Sequence, residues 1–239
     1  MKKIINPFVL HQLSEHADMV APTIPAHLTE SYAQCGEDII IEGIIKAHCK
    51  RFKLPIEQFT YIEIGANHPV NTSSTFLWSK KYGMSGILVE ANPTLIPALQ
   101  KFRPTDVIVN AAVYDQDVTH IDLYLGNENE ISSVNNQFVS KWENQEATAK
   151  VAVPVLRVNE LLSRINKDLL TILIIDVESL DLRILKDIDF TKHKPFIIEV
   201  EPSDFFIKGN TRAITEFLAT NGYRLVSATD VNLIFQLIS

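Results

Sequence analysis

Cysteine is scarce in this chain: Cys35 and Cys49 are the only two in 239 residues. Their spacing fits no zinc pattern, and two thiols make no disulfide framework, so both read as reduced. Positive charge is also in short supply, with 22 Lys and Arg against 29 Asp and Glu and a net charge of −7. An acidic chain without a long basic run is poorly suited to gripping nucleic-acid phosphates. Nowhere is there a run of about 18 apolar residues, so no membrane span is expected. The N-terminal MKKIINPFVLHQLSEH is interrupted by Pro7, His11, Gln12 and Glu15 too early to serve as a signal sequence. The cytoplasm is the default compartment. Repeats and low-complexity tracts are absent.

What is present is the composition of a globular domain, with 46% hydrophobic and 21% charged residues. Residues 1–30, with Pro7, Pro22 and Pro25, read as an arm that is irregular or carries a short helix; residues 31–239 read as one domain. In 37–50, Ile40, Ile41, Ile44 and Ile45 share a helical face. From 59 onward apolar strands alternate with helical stretches. Strands are expected at 59–65, 86–91, 106–113, 119–125, 151–156, 169–176 and 195–201, then in YRLVSAT and NLIFQLI. Helices are expected at 73–82, from Pro93 to Phe102 with Asn92 as cap, and at 159–165, 179–188 and 211–222. This is the pattern of a doubly wound α/β fold with a mostly parallel sheet. The last two strands, joined by a tight turn at Asp230, should form an antiparallel hairpin. The polar stretch 126–150 reads as a long loop, of the kind that serves as a lid or substrate loop. Within it Trp142 either covers a substrate or anchors the loop.

Ligands of open α/β sheets bind beyond the carboxyl ends of the strands. Acids and amides gather at those ends: Glu63-Ile-Gly65-Ala-Asn67-His68, Glu90-Ala91-Asn92, Asn110-Ala111, Asp176-Val-Glu178 and Glu199-Val-Glu201. Gly65 stands without the further glycines of Gly-x-Gly-x-x-Gly, which disfavours a dinucleotide and favours a ligand with a cationic amino-acid end and no phosphate. The alternative is a plain tight turn. Glu90, 25 residues on, can accept from both ribose hydroxyls or can cap the next helix. Asp176 and Glu178 are candidates for a general base, or for a helix cap. His68 is an alternative base, or a packing residue of the turn. Glu199 and Glu201 could join Asp176 around a divalent ion, but the spacing alone specifies no metal ligands, and none is expected.

These residues resemble the FkbM-type methyltransferases, within the class I fold that uses S-adenosylmethionine (AdoMet). The likeness runs from Ser31 to Glu201 through SYAQCGEDIII, YIEIGANHPVNTSSTFLW, YGMSGILVEANPTLIPAL, VNAAVYD, the IDVES segment and PFIIEVE. It implies a Rossmann-like, seven-stranded sheet whose last strand is antiparallel. It implies AdoMet as cofactor, with Glu63, Gly65 and Asn67 around its methionine part and Glu90 on the ribose. Ala91, Asn92, Asn110 and Ala111 would border the adenine. Gln34, Glu37 and Asp38 match the N-terminal block and would close over the cofactor, and Ser132-Ser133 match a serine-containing loop. Asp176 and Glu178 match an Asp-x-Glu-Gly block, with Asp176 taking the acceptor's proton. Two positions depart from the family: Pro69 stands where a second glycine is common, and Ser179 replaces the glycine after Glu178. The activity implied is O-methylation of a sugar, glycan precursor or small natural product, without nucleic-acid or membrane partners and with a homodimer left open. The alternatives are an NAD(P)-dependent oxidoreductase and a catalytically inactive nucleotide-binding module.

Overall fold

A computed structural model describes residues 4–5, 29–126, 132–143 and 147–238. The expected N-terminal arm lies outside them, apart from a two-residue parallel pairing of Ile4–Ile5 with Thr29–Glu30. The central sheet has seven strands: β1 (Phe59–Ile64), β2 (Gly86–Glu90), β3 (Val107–Asn110), β8 (Leu170–Ile175), β9 (Ile197–Val200), β10 (Tyr223–Ala228) and β11 (Leu233–Leu237). Their spatial order is β10-β11-β9-β8-β1-β2-β3. All neighbours are parallel except at β11, which runs antiparallel to both β9 and β10.

The inner parallel strands β1, β2, β8 and β9 bury both faces, which is why they read as continuous apolar runs, whereas the edge strand β3 is partly exposed. Ile62, Ile64, Val89, Leu173, Ile175 and Val200 face one core, shared with helices α5 (Val158–Ser163), α6 (Asp181–Asp187) and α7 (Asn210–Thr220). Tyr61, Leu88, Ile172, Ile174 and Ile197 face the other, shared with α1 (Glu37–Phe52), α2 (Phe76–Tyr82) and α3 (Ile96–Phe102). The expected isoleucines of α1 all pack against this core, Ile41 and Ile45 buried and Ile40 and Ile44 half-buried, and Ile39 and Glu42 join the buried face.

A second sheet forms between β3 and β8 of the first. It comprises β4 (Ala112–Val113), β5 (His120–Leu125), β6 (Ser132–Ser133) and β7 (Ala149–Leu156), in the order β4-β7-β5-β6. The expected single strand 106–113 is therefore two strands in two sheets, broken at Ala111, whose N–H turns back to the Glu90 carbonyl at 3.2 Å. The stretch 126–150 is likewise not a structureless loop. It holds α4 (Asn136–Glu143), anchored by fully buried Phe138 and Val139; the Trp142 side chain is outside the described residues. The helix expected from Pro93 begins only at Ile96. Asn92 Oδ1 accepts from Thr94 N–H at 3.0 Å, and Leu95 N–H reaches the Asn92 carbonyl, so a turn comes first. Among the described residues no helix is long and apolar enough to cross a membrane.

Candidate functional site

The chain runs outward from β1 to β3 and later returns to lay β8 beside β1 on the other side, so the topological switch point lies between β1 and β8. Gly65 and Asp176 sit side by side just beyond these two strand ends. Gly65 has φ +86°, and a Cβ there would lie 1.8 Å from the Asp176 carbonyl oxygen. Only glycine allows both the turn and the approach. Above it opens a pocket of about 260 Å³.

Of the residues singled out in the sequence, Gln34, Gly65, Asn67, Glu90, Ala91, Ala111, Ser132, Ser133, Asp176, Glu178 and Glu201 line this pocket. Glu90 is buried, and its two oxygens accept from Asn67 N–H at 2.8 Å and Asn92 N–H at 2.6 Å. Those bonds aim the carboxylate and leave further lone pairs for a ligand. Burial pushes its pKa up, against the pull of the two amides. Ser133 Oγ donates to the Glu178 carbonyl at 3.1 Å and thereby fixes the turn after β8. That turn carries Glu178 at φ 55° and Ser179 at φ 85°. The family's glycine at 179 suits this left-handed backbone, and here a serine adopts it. Among the described residues, Asn67, Thr72, Glu178 and Ser179 are four of the six non-glycine residues with positive φ, so backbone strain collects at this site.

The other candidates stand behind the lining. Asp38 is fully buried and accepts from Ser31 Oγ, Tyr32 N–H and Ile39 N–H, which ties the segment carrying Gln34 to the start of α1. Glu37 takes the Thr229 hydroxyl and the Cys35 N–H. Asn92 shapes the turn before α3, and Asn110 Nδ2 donates to the Glu90 and Ala91 carbonyls at 2.8 and 3.1 Å, bracing the strand end. His68 does not open on the pocket; its Nδ1 accepts from Val70 and Asn71 N–H and closes the turn. Glu63 also misses the main pocket. It borders a smaller cavity of about 20 Å³, shared with Ser74, Asp176 and Glu199. Its partners are Ser74 N–H, the Thr75 hydroxyl and the nearby charge of Arg103. Arg103 is the residue the sequence reading passed over. It also donates to the Pro69 carbonyl, which gives the unusual proline a fixed place in the turn. Leu123, from the second sheet, and Val231, from the loop before β11, join the lining too, and neither has a local signal in the sequence.

Asp176, Glu178 and Glu201 converge, each with part of its surface open to the pocket. One oxygen from each lies within 4.8 Å of the others. Burial raises Asp176 to about 6. Glu201 is pushed well up by burial and then by the charges of Asp176, Glu178 and Asp181. A carboxyl whose folded pKa is raised gives stability that is present below the unfolded value and lost as pH rises through the folded one. The unfolding free energy of the wild type relative to Asp176→Asn should therefore fall as pH rises from about 4 to about 6. Denaturant titrations of both proteins at several pH values check this; a flat difference would mean that the Asp176 carboxyl is not raised by its surroundings.

Residues 63–225 match the family described as the methyltransferase FkbM domain. No curated protein sequence matches the chain. Among solved structures, the crystal structure of M. jannaschii TYW2 in complex with AdoMet aligns over 81% of this chain and 76% of its own, at 12% identity and a TM-score of 0.35, a likeness too slight to argue from.

Proposed function

The chain belongs to the FkbM methyltransferase family, and from that premise we propose that it moves the methyl group of AdoMet onto a hydroxyl of a sugar, glycan precursor or small natural product. One observation carries the reading. Among the described residues, the pocket at the switch point is lined by Glu90, Asp176, Glu178 and Glu201 and by no Lys, Arg or His. Such a lining repels phosphates and favours a cation. AdoMet supplies a methyl group on a positively charged sulfur, next to an ammonium, and carries no phosphate. A nicotinamide dinucleotide would bring its pyrophosphate against the same carboxylates.

On this reading Glu90 takes the ribose hydroxyls, and Gly65 and Asn67 border the methionine part. Asn92 and Asn110 hold the strand ends from behind, while Ala91, Ala111 and Leu123 offer an apolar wall to the adenine. Gln34 and Ser133 border the cofactor from opposite sides. Asp176, with Glu178 beside it, orients the acceptor hydroxyl and accepts its proton as the new carbon–oxygen bond forms and the carbon–sulfur bond breaks. The chain's main contribution is alignment of acceptor oxygen and methyl carbon. His68, closed on its own turn, is the weaker candidate base. Because Cys35 and Cys49 are both free thiols, the cytoplasm is the compartment we assign.

Calorimetry with AdoMet and with NAD tests the reading: AdoMet should bind, and binding of NAD alone would overturn it. A transfer assay with labelled AdoMet over a panel of sugars and polyols then identifies the acceptor. Glu90→Ala should weaken AdoMet by about 1.5–3 kcal/mol, roughly 10- to 150-fold in Kd, through loss of hydrogen bonds to a charged group. Unchanged affinity would place the ribose elsewhere. The variant's thermal unfolding is measured alongside, because Glu90 also holds the Asn67 and Asn92 amides.

A further inference from the structure

We propose that Asp176, Glu178 and Glu201 bind one divalent cation of the hard, oxygen-seeking class, in the floor of the pocket. The sequence reading expects no metal; the geometry points the other way. One carboxylate oxygen from each residue lies within 4.8 Å of the other two, and all three residues line the pocket, which leaves room for water or an acceptor oxygen to complete the coordination. Two ligands on one ion are separated by at most twice the bond length, about 4.2 Å for Mg²⁺ and about 4.6–5.2 Å for Ca²⁺. The cluster therefore already has the span of a Ca²⁺-sized site and needs only a small contraction for Mg²⁺.

Asp181 supplies an independent observation. It is fully buried at the start of α6; its Oδ1 accepts from Val177 N–H at 3.1 Å, and its Oδ2 has no partner. Its charge bears on both Glu178 and Glu201, and that of Asp176 bears on it, so it stands close behind the three acids without being one of them. A buried carboxylate oxygen left without a donor is costly. A water held by a cation on the neighbouring three acids is a donor of the right kind, and carboxylates in this outer position commonly orient a metal's ligands. On the far side of the strand ends, Glu63 and Asp106 have Arg103 as counter-charge. Around Asp176, Glu178, Asp181 and Glu201, no basic side chain among the described residues is one of the charges that bear on them most. The presence of the ion does not depend on the methyl-transfer reading. Its use does: on that reading it would hold the acceptor hydroxyl and ease loss of its proton.

The test is a titration of the chelator-treated chain with Mn²⁺, without AdoMet, following free Mn²⁺ by electron paramagnetic resonance. One saturable site is expected, with Mg²⁺ and Ca²⁺ competing. Its Kd should rise at least about tenfold in Glu201→Gln and in Asp176→Asn, corresponding to roughly 1.4 kcal/mol, and stay unchanged in Asp122→Asn, an exposed acid on β5. Should the cluster variants fold poorly, the wild type provides the second readout: Mn²⁺, but not Na⁺ at equal ionic strength, raises its unfolding temperature. Absence of saturable binding below about 1 mM, the weak end of natural Ca²⁺ sites, overturns the proposal, as does binding indifferent to Glu201→Gln. Mn²⁺ binding in a protein that ignores AdoMet keeps the cation site and removes the methyl-transfer reading. AdoMet binding without Mn²⁺ binding does the reverse.

Discussion

Gly65→Ala should unfold this protein at a temperature lower by roughly 6–12 °C and empty its pocket of ligand. The added methyl would lie 1.8 Å from the Asp176 carbonyl oxygen, on a backbone already at φ +86°. Neither side can give way cheaply. Gly65 N–H is bonded to the Val89 carbonyl at 2.9 Å, and Asp176 N–H to the Ile64 carbonyl at 3.0 Å, so the turn is held between β2 and β8. Relieving the contact means parting β1 from β8, which pair in register up to Ile64 and Ile175. A positive φ in alanine adds about 1 kcal/mol or more. Together these support a loss of about 3 kcal/mol, which for a domain of this size corresponds to the temperature shift stated. Differential scanning calorimetry and AdoMet titration of the variant measure both effects. An unfolding temperature within about 2 °C of wild type would show that β1 and β8 do not approach as closely as described.

Arg103→Met is expected to cost about 3–5 kcal/mol, the penalty for leaving buried carboxylates without their counter-charge. Arg103 is only 1% exposed. Its five N–H groups all have acceptors: Asp106 at 2.8 Å, Tyr61 Oη at 2.9 Å, Thr75 Oγ1 at 2.8 Å, and Ser73 Oγ and the Pro69 carbonyl at 3.2 Å. Methionine fills most of the space and satisfies none of these. Lysine keeps the charge but not the fork, so Arg103→Lys should also be destabilised. The loss should depend on pH. Burial raises Glu63, and the Arg103 charge pulls it back down. Without the guanidinium its folded pKa rises further, and a raised carboxyl loses its stabilising contribution as pH increases. The destabilisation should accordingly be smaller at pH 5 than at pH 7. Urea titrations at the two pH values decide this, with the exposed Arg51→Met as the control that changes little. A loss at Arg103 no larger than at Arg51 would contradict the buried network.

The two positions differ in how far the sequence foretells them. Gly65 is legible because a lone glycine after an apolar strand has a local cause, a turn that only glycine makes freely. Arg103 is not: its partners lie 28 to 42 residues away, apart from Asp106, and nothing in its neighbourhood distinguishes it from a surface arginine at a helix end. The same division runs through the rest of the chain. Strands β1, β2, β8 and β9 follow from apolar runs between turn residues, and their alternation with helices fixes a mostly parallel sheet. The acids at the strand ends mark where the pocket lies. Which of them face it does not follow, because acids two residues apart on one strand end, such as Glu199 and Glu201, border different spaces once the strands are paired and twisted. So Glu90 and Asp176 enter the pocket, Glu63 turns to Arg103, and Glu199 closes on Ser74. The break at Ala111 and the second sheet also arise only in three dimensions, since the partner of β4 is β7, some forty residues further on. Local periodicity and turn chemistry determined the sheet, its glycine turn and the ring of acids. Long-range pairing decided which acids turn to Arg103 and which line the pocket.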